Sequence, residues 1–160
     1  MKRVFLSFHY KDDNWRVQQI KNIGSIEEQP LLSYNEWEEV KRGGDDAIKR
    51  WINSQMDGKS CTVVLIGGNT ANRKWINYEI TRTWDSHKPI VGLYIHKLLD
   101  ASRAQTSKGE NPFKYIRLKN GQTLDQLVPC YDPVGATSAE AYSWIKNNIE
   151  GIVDQAARRK

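Results

Sequence analysis

The stretch Asn72-Arg73-Lys74-Trp75-Ile76-Asn77-Tyr78-Glu79-Ile80 follows the most hydrophobic segment of the chain, Thr62-Val63-Val64-Leu65-Ile66-Gly67-Gly68. On a helix, Trp75 and Glu79 stand four residues apart, on one face and one turn from each other. An aromatic ring beside a carboxylate can hold a planar ring while the carboxylate works on the bond attached to it, as breaking a bond between a ribose and such a ring requires. With residues 62–68 as a central strand, the pair lies just past its carboxyl end, the edge at which open α/β sheets bind ligands. The same spacing also fits a tryptophan at the rim of a core and a glutamate on a solvated face, since such pairs are common in helices.

The opposite wall of this site falls to the end of a first strand, where Ser7, Phe8 and His9 occur in sequence. His9 can offer a ring N–H to a ribose or a diphosphate, although a histidine at a strand end is more often structural. Trp37 can reach the mouth of the pocket or simply pack. Gly67 and Gly68 permit the turn out of the third strand and equally permit close approach of a ligand.

The elements that must position these groups follow from hydrophobic periodicity. Arg3 to His9 reads as a buried strand, and Asp12 or Asp13 as the cap of a helix through Trp15, Val17, Ile20 and Ile23, ended by Gly24. Pro30 to Trp37 reads as a weak second strand, interrupted by Asn35 and Glu36. A helix from Asp45 to about Met56 carries Ile48, Trp51, Ile52 and Gln55 at helical spacing, and the 62–68 strand follows. The helix over 72–86 directs Ile76, Ile80, Thr83 and Trp84 to the sheet, with Glu79 at the border of that face. Ile90 to Ile95 is a fourth strand, Lys97 to Pro112 a long polar surface loop able to act as a lid, and Leu127 to Tyr131 a short fifth strand. The last helix, from about Ser138 to Ala157, buries Ala141, Trp144, Ile145, Ile149, Ile152 and Val153. Alternating strands and helices predict an α/β fold, an open parallel five-stranded sheet of flavodoxin-like type with helices on both faces, in a single domain over residues 1–160.

Composition narrows the classes. The net charge of +5 is partly local to Arg158-Arg159-Lys160, and elsewhere bases alternate with acids, as on a solvated face. That mixing argues against a nucleic-acid groove, which needs a basic stripe with interleaved aromatics. Cys61 and Cys130 form neither a disulfide framework nor a metal set, so a reduced, cytoplasmic setting without metal is expected. The apolar run Val4 to Phe8 is far too short for a signal peptide or a membrane span. A response-regulator receiver is excluded because the third strand ends in Gly67-Gly68 without a phosphoryl-accepting aspartate and no lysine follows Tyr131. A flavodoxin is excluded because His9-Tyr10-Lys11-Asp12 is no phosphate loop, and no Walker or Rossmann glycine pattern is present.

Val4-Phe5-Leu6-Ser7-Phe8-His9-Tyr10 resembles the opening strand of a TIR domain, and Trp75 with Glu79 resembles the aromatic and catalytic glutamate of NAD-consuming TIR enzymes. Ser7 to Tyr10, Leu65-Ile66-Gly67, Trp75 to Glu79 and Ser107-Lys108-Gly109-Glu110-Asn111-Pro112-Phe113 together resemble the TIR-like proteins of the bacterial Thoeris anti-phage system. Trp37 to Lys41 and Ala47 to Arg50 add to that match, which runs to Phe113.

The resemblance implies an enzyme for which NAD is substrate rather than cofactor. It would release nicotinamide through catalytic Glu79, bind substrate through Trp75, Ser7, Phe8 and His9, and make an ADP-ribose-derived, cyclic signal nucleotide that activates a partner effector during infection. Self-association or a phage component is the expected trigger. An ionised Glu79 would stabilise the oxocarbenium-like ribose, and its place in the early turns of a helix is expected to favour the ionised form. Two other classes stand beside this one: a non-enzymatic TIR scaffold, and a nucleoside or nucleotide N-glycosidase of deoxyribosyltransferase type.

Overall fold

The computed structural model describes residues 2–30 and 34–159. Five parallel strands form one sheet: β1 (Arg3–Ser7), β2 (Glu27–Glu28), β3 (Cys61–Ile66), β4 (Ile90–Tyr94) and β5 (Cys130–Tyr131), in the order β2-β1-β3-β4-β5. The helices are α1 (Tyr10–Lys21), α2 (Tyr34–Arg42), α3 (Gly44–Met56), α4 (Lys74–Asp85) and α5 (Ser138–Arg159). The expected α/β open parallel sheet is therefore present. In this order the chain leaves β1 toward β2 on one side and returns as β3 on the other. The carboxyl ends of β1 and β3 thus flank the switch point, where a crevice opens.

Strand alternation divides the core between two faces. Val4, Leu6, Val63, Leu65, Val91 and Leu93 meet Val17 and Ile20 of α1 and Ala141, Ile145, Ile149 and Val153 of α5. On the other face Val64 and Ile66 pack on Ile76 and Ile80 of α4, and Phe5 packs on Ile48, Ile52 and Met56 of α3. β3 is buried along its whole length, which is why it reads as a continuous apolar run rather than an alternating one. No helix among the described residues is long and apolar enough to cross a membrane.

Several expected boundaries move. The second strand is Glu27–Glu28 rather than Pro30 to Trp37, and residues 31–33 of the expected strand lie outside the described ones. Beyond β2, the Gln29 side chain takes over the role of a strand: its Oε1 accepts from Leu6 N at 3.0 Å and its Nε2 donates to Leu6 O at 2.9 Å. Tyr34–Arg42 is helical, and Trp37 and Val40, three residues apart, face the Phe5 cluster. β1 stops at Ser7 because His9, with φ −81° and ψ 105°, is the N-cap of α1. Asp12 and Asp13 therefore lie in the first turn and do not cap it. Trp15, read as part of the buried stripe, is 56% exposed, and Asp13 and Arg16 occupy the buried face with Val17 and Ile20.

Asp13 and Arg16 form a buried ion pair, Nη1 to Oδ1 2.7 Å, and Arg16 also donates to the carbonyls of Leu98 (2.8 Å) and Ala104 (3.0 Å). α1 thereby fixes the start of the 97–112 loop. Asp100 tightens the same loop by accepting from the backbone N–H groups of Ser102 and Ala104. Further along, a Cβ on Gly109 would lie 2.1 Å from Gly67 O, so the loop rests directly on the turn leaving β3. It then enters a 3₁₀ turn, Pro112–Tyr115, that buries Phe113 in the core.

Arg16→Met is expected to cost about 3–5 kcal/mol, because it strands the Asp13 carboxylate in the interior. Adding Asp13→Leu to that variant should recover part of the loss. Urea unfolding of the two proteins checks both statements.

Candidate active site

β1 pleating turns Phe5 and Ser7 toward the face on which α4 packs, and α4 directs Ile76, Glu79, Ile80 and Thr83 back toward the sheet. Where the two meet, Ser7 Oγ donates to Glu79 Oε1 at 2.6 Å, with Ser7 fully buried and Glu79 only 7% exposed. Thr83 Oγ1 donates to the Glu79 carbonyl at 2.8 Å and shares a 2.8 Å hydrogen bond with Thr62 of β3. The helix is thus pinned to β1 and β3 around Glu79.

Among the described residues Glu79 has no salt-bridge partner, and burial pushes its pKa from 4.5 up to about 8 against the smaller, opposing pull of the Ser7 hydrogen bond. The expectation that its position on the helix favours the ionised form is overturned. Glu79 is the sixth residue of α4, beyond the first turn over which the helix dipole acts, and loss of water dominates.

Trp75 is half-buried one turn before Glu79, beside Phe5, Ile48 and Ile52, with its ring edge-on to Tyr78 at 5.7 Å. Lys74 Nζ lies 5.0 Å from the centre of the Trp75 ring. A run of rings, Phe8 to Tyr10 (6.2 Å), Tyr10 to Trp37 (6.3 Å) and Trp37 to Trp51 (5.7 Å), extends from the end of β1 along α2 and α3. Trp37 therefore packs within an aromatic wall rather than standing free at a pocket mouth.

Of the strand-end residues, Ser7 touches Glu79, whereas Phe8 packs against the α1 and α5 core on the other face of the sheet. His9 lies in the β1 to α1 turn, its Nε2 3.6 Å from Asp12 Oδ2, which also accepts from Asn69 Nδ2 at 3.0 Å. Burial, with the nearby Arg73 charge, lowers the His9 pKa and favours a neutral ring. His9, Asp12 and Asn69 so join the turn after β1 to the turn after β3.

A groove of about 500 Å³ opens at the amino end of α4, lined by Gly68, Asn69, Ala71, Asn72, Arg73, Lys74 and Glu110. Glu79 and Trp75 do not line it; it begins where their helix begins. The 97–112 loop contributes Glu110 to its rim and is held by the contacts described above, so it forms a fixed wall. A smaller cavity of about 80 Å³, bordered by Met56, Lys59, Arg82 and Lys88, lies at the opposite edge of the sheet, and neither Glu79 nor Trp75 lines it. Arg73, Lys74 and Asn69 had not been singled out as site residues from sequence. The signal for Arg73 and Lys74 is the basic pair directly before Trp75, and Asn69 carries no such signal.

Residues 5–100 match the family described as Thoeris protein ThsB, TIR-like domain. The chain belongs to this family. It is also 38% identical over 164 residues to a Bacillus cereus (strain MSX-D12) protein named "Putative cyclic ADP-D-ribose synthase ThsB1", covering 99% of this chain and 85% of the relative. The segment matched to the ThsB TIR-like family holds Ser7, His9, Arg73, Lys74, Trp75 and Glu79, so both sides of the crevice belong to the family's own domain. The remainder, which supplies Glu110 and α5, is covered by the match to the Bacillus relative.

The buried carboxyl sets a pH signature on stability. Its folded pKa of about 8 lies above the ordinary 4.5, so the folded state holds a proton that the unfolded chain releases between these values. The stabilisation from this proton is complete below pH 4.5, falls as pH rises and is gone above about pH 8. Glu79→Gln keeps an acceptor for Ser7 and removes the titration. Its melting temperature should exceed that of the wild type by a margin that grows from pH 5 to pH 8, as a thermal-melt series measures.

Proposed function

We propose that this protein cleaves the nicotinamide–ribose bond of NAD and converts the ADP-ribose part into a cyclic nucleotide, which signals to a partner effector in anti-phage defence. The observation that carries this proposal is the Ser7-held, charge-unpaired carboxyl of Glu79, set one turn from a half-buried tryptophan at the sheet's switch point. The name of the Bacillus relative, "Putative cyclic ADP-D-ribose synthase ThsB1", supports it.

The chemistry asks little of the side chains. Trp75 would stack on the nicotinamide ring. As the C–N bond breaks, its electron pair stays on the ring nitrogen, so a cationic pyridinium leaves as neutral nicotinamide without needing a proton. Positive charge then builds on the ribose, where ionised Glu79 stabilises it. A nucleophilic group of the same molecule closes on that carbon and loses its proton, giving a product one water lighter than ADP-ribose. Capture by water gives ADP-ribose itself.

A pKa of about 8 leaves Glu79 mostly protonated at neutral pH. The substrate supplies the missing counter-charge. A pyridinium about 4 Å away is worth on the order of 4 kcal/mol at an effective dielectric of 20, roughly three pK units. That is enough to ionise Glu79 as the substrate binds. A binding scaffold gains nothing from a buried acid of this kind. A nucleoside glycosidase could use it, but has no need of the groove flanked by Arg73 and Lys74, which suits a diphosphate. The free thiols of Cys61 and Cys130 accord with a cytoplasmic setting, where NAD is available. His9, at the junction of the two turns, is assigned to the ribose or diphosphate, and Phe8 to support of the wall behind it. Self-association or a phage component is the proposed trigger.

Incubation with NAD should release nicotinamide, with kcat/KM rising with pH to a plateau above about pH 8, because ionised Glu79 is the active form of the free enzyme. Glu79→Gln should lower turnover by at least about 100-fold and remove that rise. Chromatography with mass detection reads both, and places the main product one water below ADP-ribose. Equal turnover by folded wild-type and Gln proteins would remove Glu79 from the mechanism.

A further inference from the structure

Lys74 occupies an electrostatically awkward position. It is the first residue of α4, directly after Arg73, at the helix end where backbone N–H groups already concentrate positive charge, and α4 has no acidic residue in its first turn. Its counter-ion comes from another helix: Lys74 Nζ bonds Asp45 Oδ2 in the first turn of α3. The same ammonium stands over the Trp75 ring at 5.0 Å, a cation–π contact. Both members of the ion pair are more than half exposed, at 64% and 59%, so packing does not fix them there. Lys74 also borders the groove at the amino end of α4, beside Arg73.

One side chain thus borders two places, the aromatic ring and the groove. A planar cationic ring that stacks on Trp75 competes with the Lys74 ammonium for it, and a diphosphate in the groove by itself draws that ammonium away from Asp45 and Trp75. Resting on the NAD proposal above, we propose that Lys74 is a diphosphate-binding residue held in reserve. It is parked on Trp75 and Asp45, and it turns into the groove to meet a nucleoside diphosphate when a ligand arrives. Asp45 is then a brake on binding, and Lys74 both a cover and a ligand.

Two variants separate this from a plain surface ion pair, because they should act with opposite sign. Asp45→Asn releases the clamp and leaves Lys74 free for the groove. It should bind ADP-ribose roughly two- to fivefold tighter in titration calorimetry, the scale of an exposed ion pair. The KM for NAD should fall in step while kcat is unchanged. Lys74→Met uncovers Trp75 but removes the diphosphate ligand, and should bind ADP-ribose at least about fivefold more weakly. A purely structural bridge moves both variants in the same direction, and a decorative one moves neither; either result overturns the assignment, as does absence of ADP-ribose binding by the wild type. Wild-type protein that binds ADP-ribose with the two opposite shifts but never cleaves NAD would sink the proposed activity and leave Lys74 in place.

Discussion

A carboxyl group withdrawn from water, with a serine hydroxyl on one oxygen, is stable only if the scaffold around it cannot relax. Ser7 holds Glu79 at 2.6 Å, and this contact needs β1 and α4 to keep a fixed separation and rotation. The Thr62–Thr83 hydrogen bond and the packing of Ile76 and Ile80 on Val64 and Ile66 supply that constraint. Burial raises the carboxyl's pKa far more than Ser7 lowers it, so at neutral pH the group is held mostly protonated. A positive charge placed beside such a group would favour its ionised form.

The rest of the carboxyl edge is arranged to keep this geometry. The turn leaving β3 is fixed from both sides: Asp13 lies so close to Gly67 that a Cβ there would fall 2.2 Å from its carboxylate, and Gly109 presses on the Gly67 carbonyl. Thr70 adds an internal bond, accepting from Gly67 N at 2.8 Å. Arg16 carries the same restraint into the 97–112 loop through two backbone carbonyls. Between β4 and β5 this loop and two 3₁₀ turns, Pro112–Tyr115 and Leu124–Gln126, replace a regular connecting helix. The core on that side is completed by Phe113 and Leu124 instead of a helical stripe.

What could be read from residues alone follows the strength of each local signal. The apolar run of β3, the stripes of α4 and α5, and the Trp75 to Glu79 spacing were legible because burial on a regular element leaves a period in the sequence. The second strand was misplaced because Gln29 completes the β1 ladder with a side-chain amide, which leaves no strand pattern. α1 was legible as a helix, yet its buried face carries Asp13 and Arg16 while Trp15 points out, so the apolar pattern pointed to the wrong residues. A paired charge inside and a ring outside invert the usual code.

For the site, the sequence determined the chemistry at hand: an aromatic and a carboxylate one turn apart on a helix entering from a central strand, opposite a Ser-Phe-His strand end. It also determined the sheet, since alternation of strand and helix with right-handed crossovers leaves few arrangements. Only the tertiary structure decided which of those residues meet. Pleating sends Ser7 to Glu79 and Phe8 to the opposite core, and the cap of α1 sends His9 toward Asp12. It alone decided the protonation of Glu79, because a pKa depends on the water and charge excluded by groups far away in the chain, and no local spacing records that exclusion.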